Sequence, residues 1–167
     1  MRRAAAIAGS ILFLVIAPGT VAVLVPQRIS KWQWNAAPGW TWSLRILGGA
    51  FIVAGAAVLL DSFARFALRG LGTPAPVFPT RHLVVSGLYR YVRNPMYLAV
   101  ASLIFGQALL FLNSALVAYG LAVWLAFHLF VMLYEEPTLR HSFGDEYASF
   151  CAAVPRWIPR LSRRRSG

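Results

Sequence analysis

Four long apolar stretches, residues 4–25, 44–60, 97–112 and 114–134, limit what this chain can become. A backbone surrounded by hydrocarbon must satisfy its own hydrogen bonds, so stretches of this kind fold as helices. Crossing a core of roughly 30 Å takes about 20 apolar residues. The pattern therefore predicts an all-α integral membrane protein with about four transmembrane helices. Composition agrees: 59% of the 167 residues are hydrophobic and 13% are charged, and the mean hydropathy is +0.62.

The net charge of +11 would suit a nucleic-acid binder, but the arginines and lysines stand between the apolar stretches, where topology alone accounts for them. All but Arg28, Lys31 and Arg45 belong to the amino terminus, to residues 61–96 or to the segment after residue 134. The positive-inside rule then expects both termini, and both polar segments described below, on the cytoplasmic side of a multi-pass protein. No nucleic-acid partner is expected.

The first stretch follows Arg2 and Arg3. A basic start before residues 7–16 also fits a cleaved signal peptide, but the apolar run continues past any suitable cut. Pro18 and Gly19 read as a kink within a span. Residues 26–45 read as a loop lying along the membrane interface, because Trp32, Trp34, Trp40 and Trp42 prefer that depth. Asp61 and Arg65 stand four apart, suited to a structural ion pair, with Arg69 one turn further. Residues 70–80 carry Gly70, Gly72, Pro74, Pro76 and Pro79 and read as an extended strip. Only Asn113 parts the third stretch from the fourth, which predicts a tight antiparallel hairpin. From 137 to 151, Leu139, Phe143, Tyr147 and Phe150 recur at spacings of three and four, the stripe of an amphipathic helix. The chain divides into two amino-terminal spans with the tryptophan-rich loop (1–69), a core (70–160) and a basic tail (161–167).

Two polar clusters interrupt this apolar chain. One runs from Gly87 through Tyr89, Arg90, Arg93, Asn94, Pro95 and Met96 to Tyr97. The other is Tyr134-Glu135-Glu136-Pro137. A carboxylate at membrane depth needs a cationic partner, from the protein or from a ligand. Arg90 and Arg93 are protein candidates, and an ammonium or sulfonium is a ligand candidate. His128 precedes Glu135 by seven residues on the same helical face and could carry a proton or bond a neighbouring helix. His82 and His141 show no metal-ligand spacing, and with one cysteine, Cys151, no metal site is expected. No glycine-rich phosphate loop is present.

The order of several segments resembles the isoprenylcysteine carboxyl methyltransferase family, which is related to the membrane phospholipid methyltransferases. They are Leu83 to Tyr97, then Gly106-Gln107, then Glu135-Glu136, then Phe143-Gly144-Asp145-Glu146-Tyr147, then Val154-Pro155-Arg156-Trp157-Ile158-Pro159. The resemblance covers roughly residues 70–160. It implies a multi-helix membrane enzyme that uses S-adenosyl-L-methionine. It places the cofactor on Arg81, His82, Leu83 and Val84, on Tyr89, on Asn94, Pro95, Met96 and Tyr97, and on Glu135, with Gly106 and Glu136 beside them. Two positions depart from the family's pattern. Asn94 stands where histidine is common, and an amide takes no proton at neutral pH. Val131 stands where eukaryotic members have an arginine tied to their substrate.

These readings together predict methyl transfer to an apolar or lipid-like acceptor of the isoprenylcysteine carboxylate type, at the cytoplasmic membrane face. Such a displacement depends on positioning more than on acid–base help. Arg93, Asn94 and His128 are the candidate catalytic residues, with Arg90 or Arg93 attracting an anionic acceptor. A phospholipid or small-thiol methyltransferase, a nicotinamide-dependent membrane reductase and a non-enzymatic membrane scaffold are the alternatives. A 2′-phosphorylated nicotinamide cofactor would favour a basic pocket over a glutamate pair.

Overall fold

The structure, a computed structural model, describes residues 2–36, 38–65, 83 and 85–160. Those residues form helices α1 (Arg2–Gly19), α2 (Val25–Ser30), α3 (Trp42–Arg65), α4 (Pro95–Phe111), α5 (Ser114–Phe130) and α6 (Glu136–Ala153). Among the described residues there is no strand. Three helical stretches, Ile11–Ser30, Gly39–Arg65 and Ser114–Ala153, are long and apolar enough to cross a membrane. Helix α4 is apolar but shorter, at 17 residues. Pro95 opens it at a position where a missing N–H costs nothing, and Leu112, left-handed at φ +51°, closes it. Asn113 then caps α5, its side chain accepting from Leu116 N–H. The expected hairpin is thus built from a left-handed stop followed directly by a cap.

The closest packing is between α3 and α4, because small residues line their contact. A Cβ on Gly48 would lie 2.6 Å from the Gly106 carbonyl oxygen, and one on Gly55 would lie 2.9 Å from that of Ala99. The pairing 48 with 106 and 55 with 99 makes the helices antiparallel. Ser102 adds a 3.2 Å bond to the Phe51 carbonyl. Helices in lipid lack a hydrophobic drive toward each other, so such close approach supplies their attraction. The core gathers Ala22, Leu59, Phe63, Ala99, Val100 and Ile104, with Tyr119 and Phe127 of α5 against them.

The loop expected over residues 26–45 is shorter than that. Helix persists to Ser30, and a 3₁₀ turn at Gly39–Thr41 already leads into α3. The reason lies in a π-helical turn, Thr20–Leu24, between α1 and α2. Val25 N–H bonds Thr20 O, five residues back, and Pro26 has no N–H. Val21 O and Ala22 O therefore lose their usual donors. Tyr119 Oη supplies one to Val21 O at 2.9 Å, and Gln107 Nε2 one to Ala22 O at 2.7 Å. With both carbonyls satisfied from outside, a proline does not end the helix. Beyond it, Arg45 is buried and stacks on Trp34, its guanidinium carbon 3.9 Å from the ring centroid. Trp32, Trp34, Trp40 and Trp42 are exposed around it.

The stripe expected over 137–151 is present as one cluster of Tyr147, Phe150 and Val154 with Leu139 and Phe143. Its helix is longer, Glu136–Ala153, and takes a non-helical step at Gly144 (φ +49°). It is also not separate: a second π-helical turn, Val131–Glu135, joins it to α5. The strip 70–80, Arg69 and the tail 161–167 lie outside the described residues.

Candidate functional site

The two acids sit at the end of the second π-turn, and adjacent helical positions point about 100° apart. Glu136 is buried and bound to Arg156, whose Nε and Nη2 donate to it at 2.7 and 2.9 Å. Arg93 Nη1 donates to the same carboxylate at 3.0 Å and to Cys151 Sγ at 2.9 Å. Two guanidiniums on one carboxylate, one of them bidentate, make a strong and directional contact.

Glu135 has a different setting. Its Oε2 accepts from Tyr97 Oη at 2.7 Å. Among the described residues no Arg, Lys or His is in ion-pair contact with it. The Tyr97 ring, in the first turn of α4, packs on Phe127 of α5 with centroids 4.8 Å apart. Tyr89, buried in the 3₁₀ turn Gly87–Arg90, is close enough to feel the same carboxylate. Burial pushes the Tyr89 phenol above its ordinary range, and the charges of Glu135 and Asp61 act in the same direction. The result is a corner with one carboxylate, two phenols and an aromatic wall.

Residues 91–94 are held in place from the far end of the chain. Arg93 N–H bonds Pro155 O at 2.9 Å and Arg160 N–H bonds Tyr91 O at 3.1 Å. Asn94 Nδ2 donates to Arg156 O at 3.2 Å. Trp157 Nε1 donates to His128 Nδ1 at 3.0 Å, and His128 stacks on Trp124. Residues 154–160 thus form a strap across the entry to α4 and the end of α5. At the start of this region Asp61 and Arg65 pair at 2.7 Å, as their spacing suggested. The Arg65 guanidinium lies over Gly87 so closely that a Cβ there would fall 2.2 Å from Nε. Gly87 also needs φ +59°, which favours glycine.

The structure brings Tyr89, Tyr97 and Glu135 together, while Pro95 is buried and Met96 packs on the core. Asn94 and Arg93 face the strap and Glu136, and His128 faces Trp157. Gly106 lies nine residues beyond Tyr97 against Gly48, away from the corner. Leu83 packs on the Tyr147 cluster. Arg81, His82 and Val84 lie outside the described residues. Arg90 is exposed and, among the described residues, makes no ion pair. Sequence reasoning gave no site role to Arg156, Trp157 or Phe127. The run Val154-Pro155-Arg156-Trp157 carried a signal for the first two, and nothing in the sequence marked Phe127 among its apolar neighbours.

Among the described residues no group of His, Cys, Asp and Glu could hold a metal ion. The family model described as phospholipid methyltransferase matches residues 44–146. That range includes Tyr89, Asn94, Tyr97, His128, Glu135 and Glu136. No curated protein and no solved structure matches the chain.

Proposed function

The chain belongs to the phospholipid methyltransferase family, and we propose that it transfers a methyl group from S-adenosylmethionine to an apolar, lipid-like acceptor at the cytoplasmic membrane face. The observation that carries this reading is the state of Glu135. It is an acid in an aromatic corner whose one side-chain hydrogen bond among the described residues comes from the neutral Tyr97 hydroxyl. A site of this kind has room in its charge balance for a cation, and the methionine end of the cofactor has an ammonium.

The residues present fit that group. Glu135 would receive the ammonium, with Tyr97 fixing the carboxylate's orientation. The Tyr89, Tyr97 and Phe127 rings suit the adenine and the face of a sulfonium. When bound, the cofactor supplies an electrophilic methyl on sulfur. The protein's share is to hold, orient and exclude water, as methyl transfer demands. The Glu136–Arg93–Arg156 network fixes the segment that delivers Tyr97. Arg90, exposed and free of ion pairs among the described residues, suits an anionic group on the acceptor. That supports an isoprenylcysteine-type carboxylate as the first acceptor to test, beside phospholipid amines. His128 Nδ1 is engaged by Trp157, so any proton it takes from an acceptor goes to Nε2.

Calorimetric binding of S-adenosylhomocysteine and of NADPH to detergent-purified protein tests the reading. S-adenosylhomocysteine alone should bind, and more weakly to Glu135→Gln. Binding of NADPH alone would transfer the case to a reductase, and binding of neither by a folded sample would leave a scaffold.

A further inference from the structure

Among the described residues one backbone device occurs twice. Five π-helical residues are followed by one more residue and then proline: Thr20–Leu24, Val25 and Pro26 in the first copy, and Val131–Glu135, Glu136 and Pro137 in the second. The bonding is the same in both. Val25 N–H reaches back to Thr20 O, and Glu136 N–H to Val131 O. The proline that follows has no N–H. In the first copy this strips donors from Val21 O and Ala22 O. In the second it strips them from Met132 O, which loses its donors four and five residues ahead, and from Leu133 O, which loses the one four ahead.

The two copies differ in how the stripped carbonyls are satisfied. In the first they face the core, where Tyr119 and Gln107 bond them. In the second the residues themselves are exposed: Met132 is 42% and Leu133 73% exposed, and Pro137 is exposed as well. Among the described residues no side chain donates to Met132 O or Leu133 O, and the Thr138 hydroxyl bonds Tyr134 O instead. Around them are the exposed apolar side chains of Leu129, Phe130 and Met132. An acceptor pair within an apolar face, at the end of a membrane-crossing helix, is expensive to leave bare. An occupant that suits it has an apolar body and an N–H or O–H at its head.

We propose that the Met132 and Leu133 carbonyls are a binding subsite for a membrane lipid whose headgroup donates hydrogen bonds, seated on the outer face of α5 and its π-turn. The first copy is the internal precedent: there the protein supplies both donors, and here the lipid does. The subsite is independent of the reaction assigned above.

The chain's methionines are Met1, Met96 and Met132, so carbonyl-13C methionine labels the subsite directly, and Met132→Leu identifies its signal. The full chain is placed in vesicles of dioleoylphosphatidylcholine, whose head has no donor, and in vesicles that also contain dioleoylphosphatidylethanolamine. The Met132 carbonyl resonance should move downfield in the second and the Met96 resonance should not. An identical Met132 shift in both would assign the donor to interfacial water and overturn the proposal. Pro137→Ala returns an N–H to Leu133 O at an exposed position. The preference for spin-labelled ethanolamine lipid over choline lipid should then fall by about fivefold, the worth of one ordinary hydrogen bond. A preference unchanged by that substitution would count equally against it.

Discussion

Tyr97 Oη donates to Glu135 Oε2 at 2.7 Å, joining the first turn of α4 to the π-turn that ends α5. Next to it in sequence, Glu136 takes both Arg93 and Arg156. Adjacent acids thus have different partners: Glu136 is bound by two guanidiniums, and Glu135 accepts from a neutral hydroxyl. The π-turn inserts one residue into the helix and so sets which acid faces which neighbour.

Replacing Glu135 by Gln removes the charge and keeps the shape. Affinity for S-adenosylhomocysteine should fall by about 1.5–3 kcal/mol, the range for hydrogen bonds to charged groups, or roughly 10- to 150-fold. Tyr97→Phe should cost less, about 0.5–1.5 kcal/mol. Calorimetry on both variants checks this, and unchanged binding in Glu135→Gln would remove the role assigned to it.

Glu136→Gln should behave in the opposite way. It leaves Arg93 and Arg156 without their shared anion and loosens the strap. Arg156 is partly exposed, so the cost falls short of a fully buried pair: about 1–3 kcal/mol. Thermal unfolding in detergent should drop clearly, while the cofactor affinity of the folded fraction changes less than in Glu135→Gln. A variant as stable as the parent would show that the network contributes little.

Gln107→Leu should cost about 1–3 kcal/mol, since it leaves Ala22 O buried without a donor. Combining it with Pro26→Ala returns a backbone N–H to that carbonyl and should recover most of the loss. A double-mutant cycle on thermal stability measures the coupling. Additive effects would contradict the link drawn between Pro26 and Gln107.

Gly106→Ala places a methyl 2.8 Å from Gly48 O and from Ile52, and overpacking of this kind costs about 1–3 kcal/mol. Gly49→Ala is the control, with nothing within 4 Å of its Cβ. It should be neutral or stabilising by up to about 1 kcal/mol, as glycine-to-alanine changes in open helices are. Equal destabilisation of both would mean that the α3–α4 seam is looser than these distances require.

Much of the fold was legible because lipid permits few backbone solutions. The apolar stretches, the Asp61–Arg65 pair, the α4–α5 turn and the Tyr147 stripe all follow from local spacing. The site was legible only in its parts. Glu135, Tyr97 and Tyr89 stood out as polar residues beside apolar helices, but adjacency in sequence gave no means to separate Glu135 from Glu136. The helix through Pro26 was misread as loop for a related reason. A proline's missing N–H is a local fact, while the donors that replace it, Gln107 and Tyr119, lie far along the chain.

The sequence by itself determined the helical class, the apolar stretches and the polar segments between them, since hydropathy and proline chemistry act over a few residues. The tertiary structure alone decided which helices touch, through glycines meeting across α3 and α4. It also decided which glutamate is paired, through Arg93 and Arg156 arriving from opposite ends of the core region, and which stripped carbonyls are covered. Each of these depends on groups brought together across dozens of residues, and only the packed chain sets such distances.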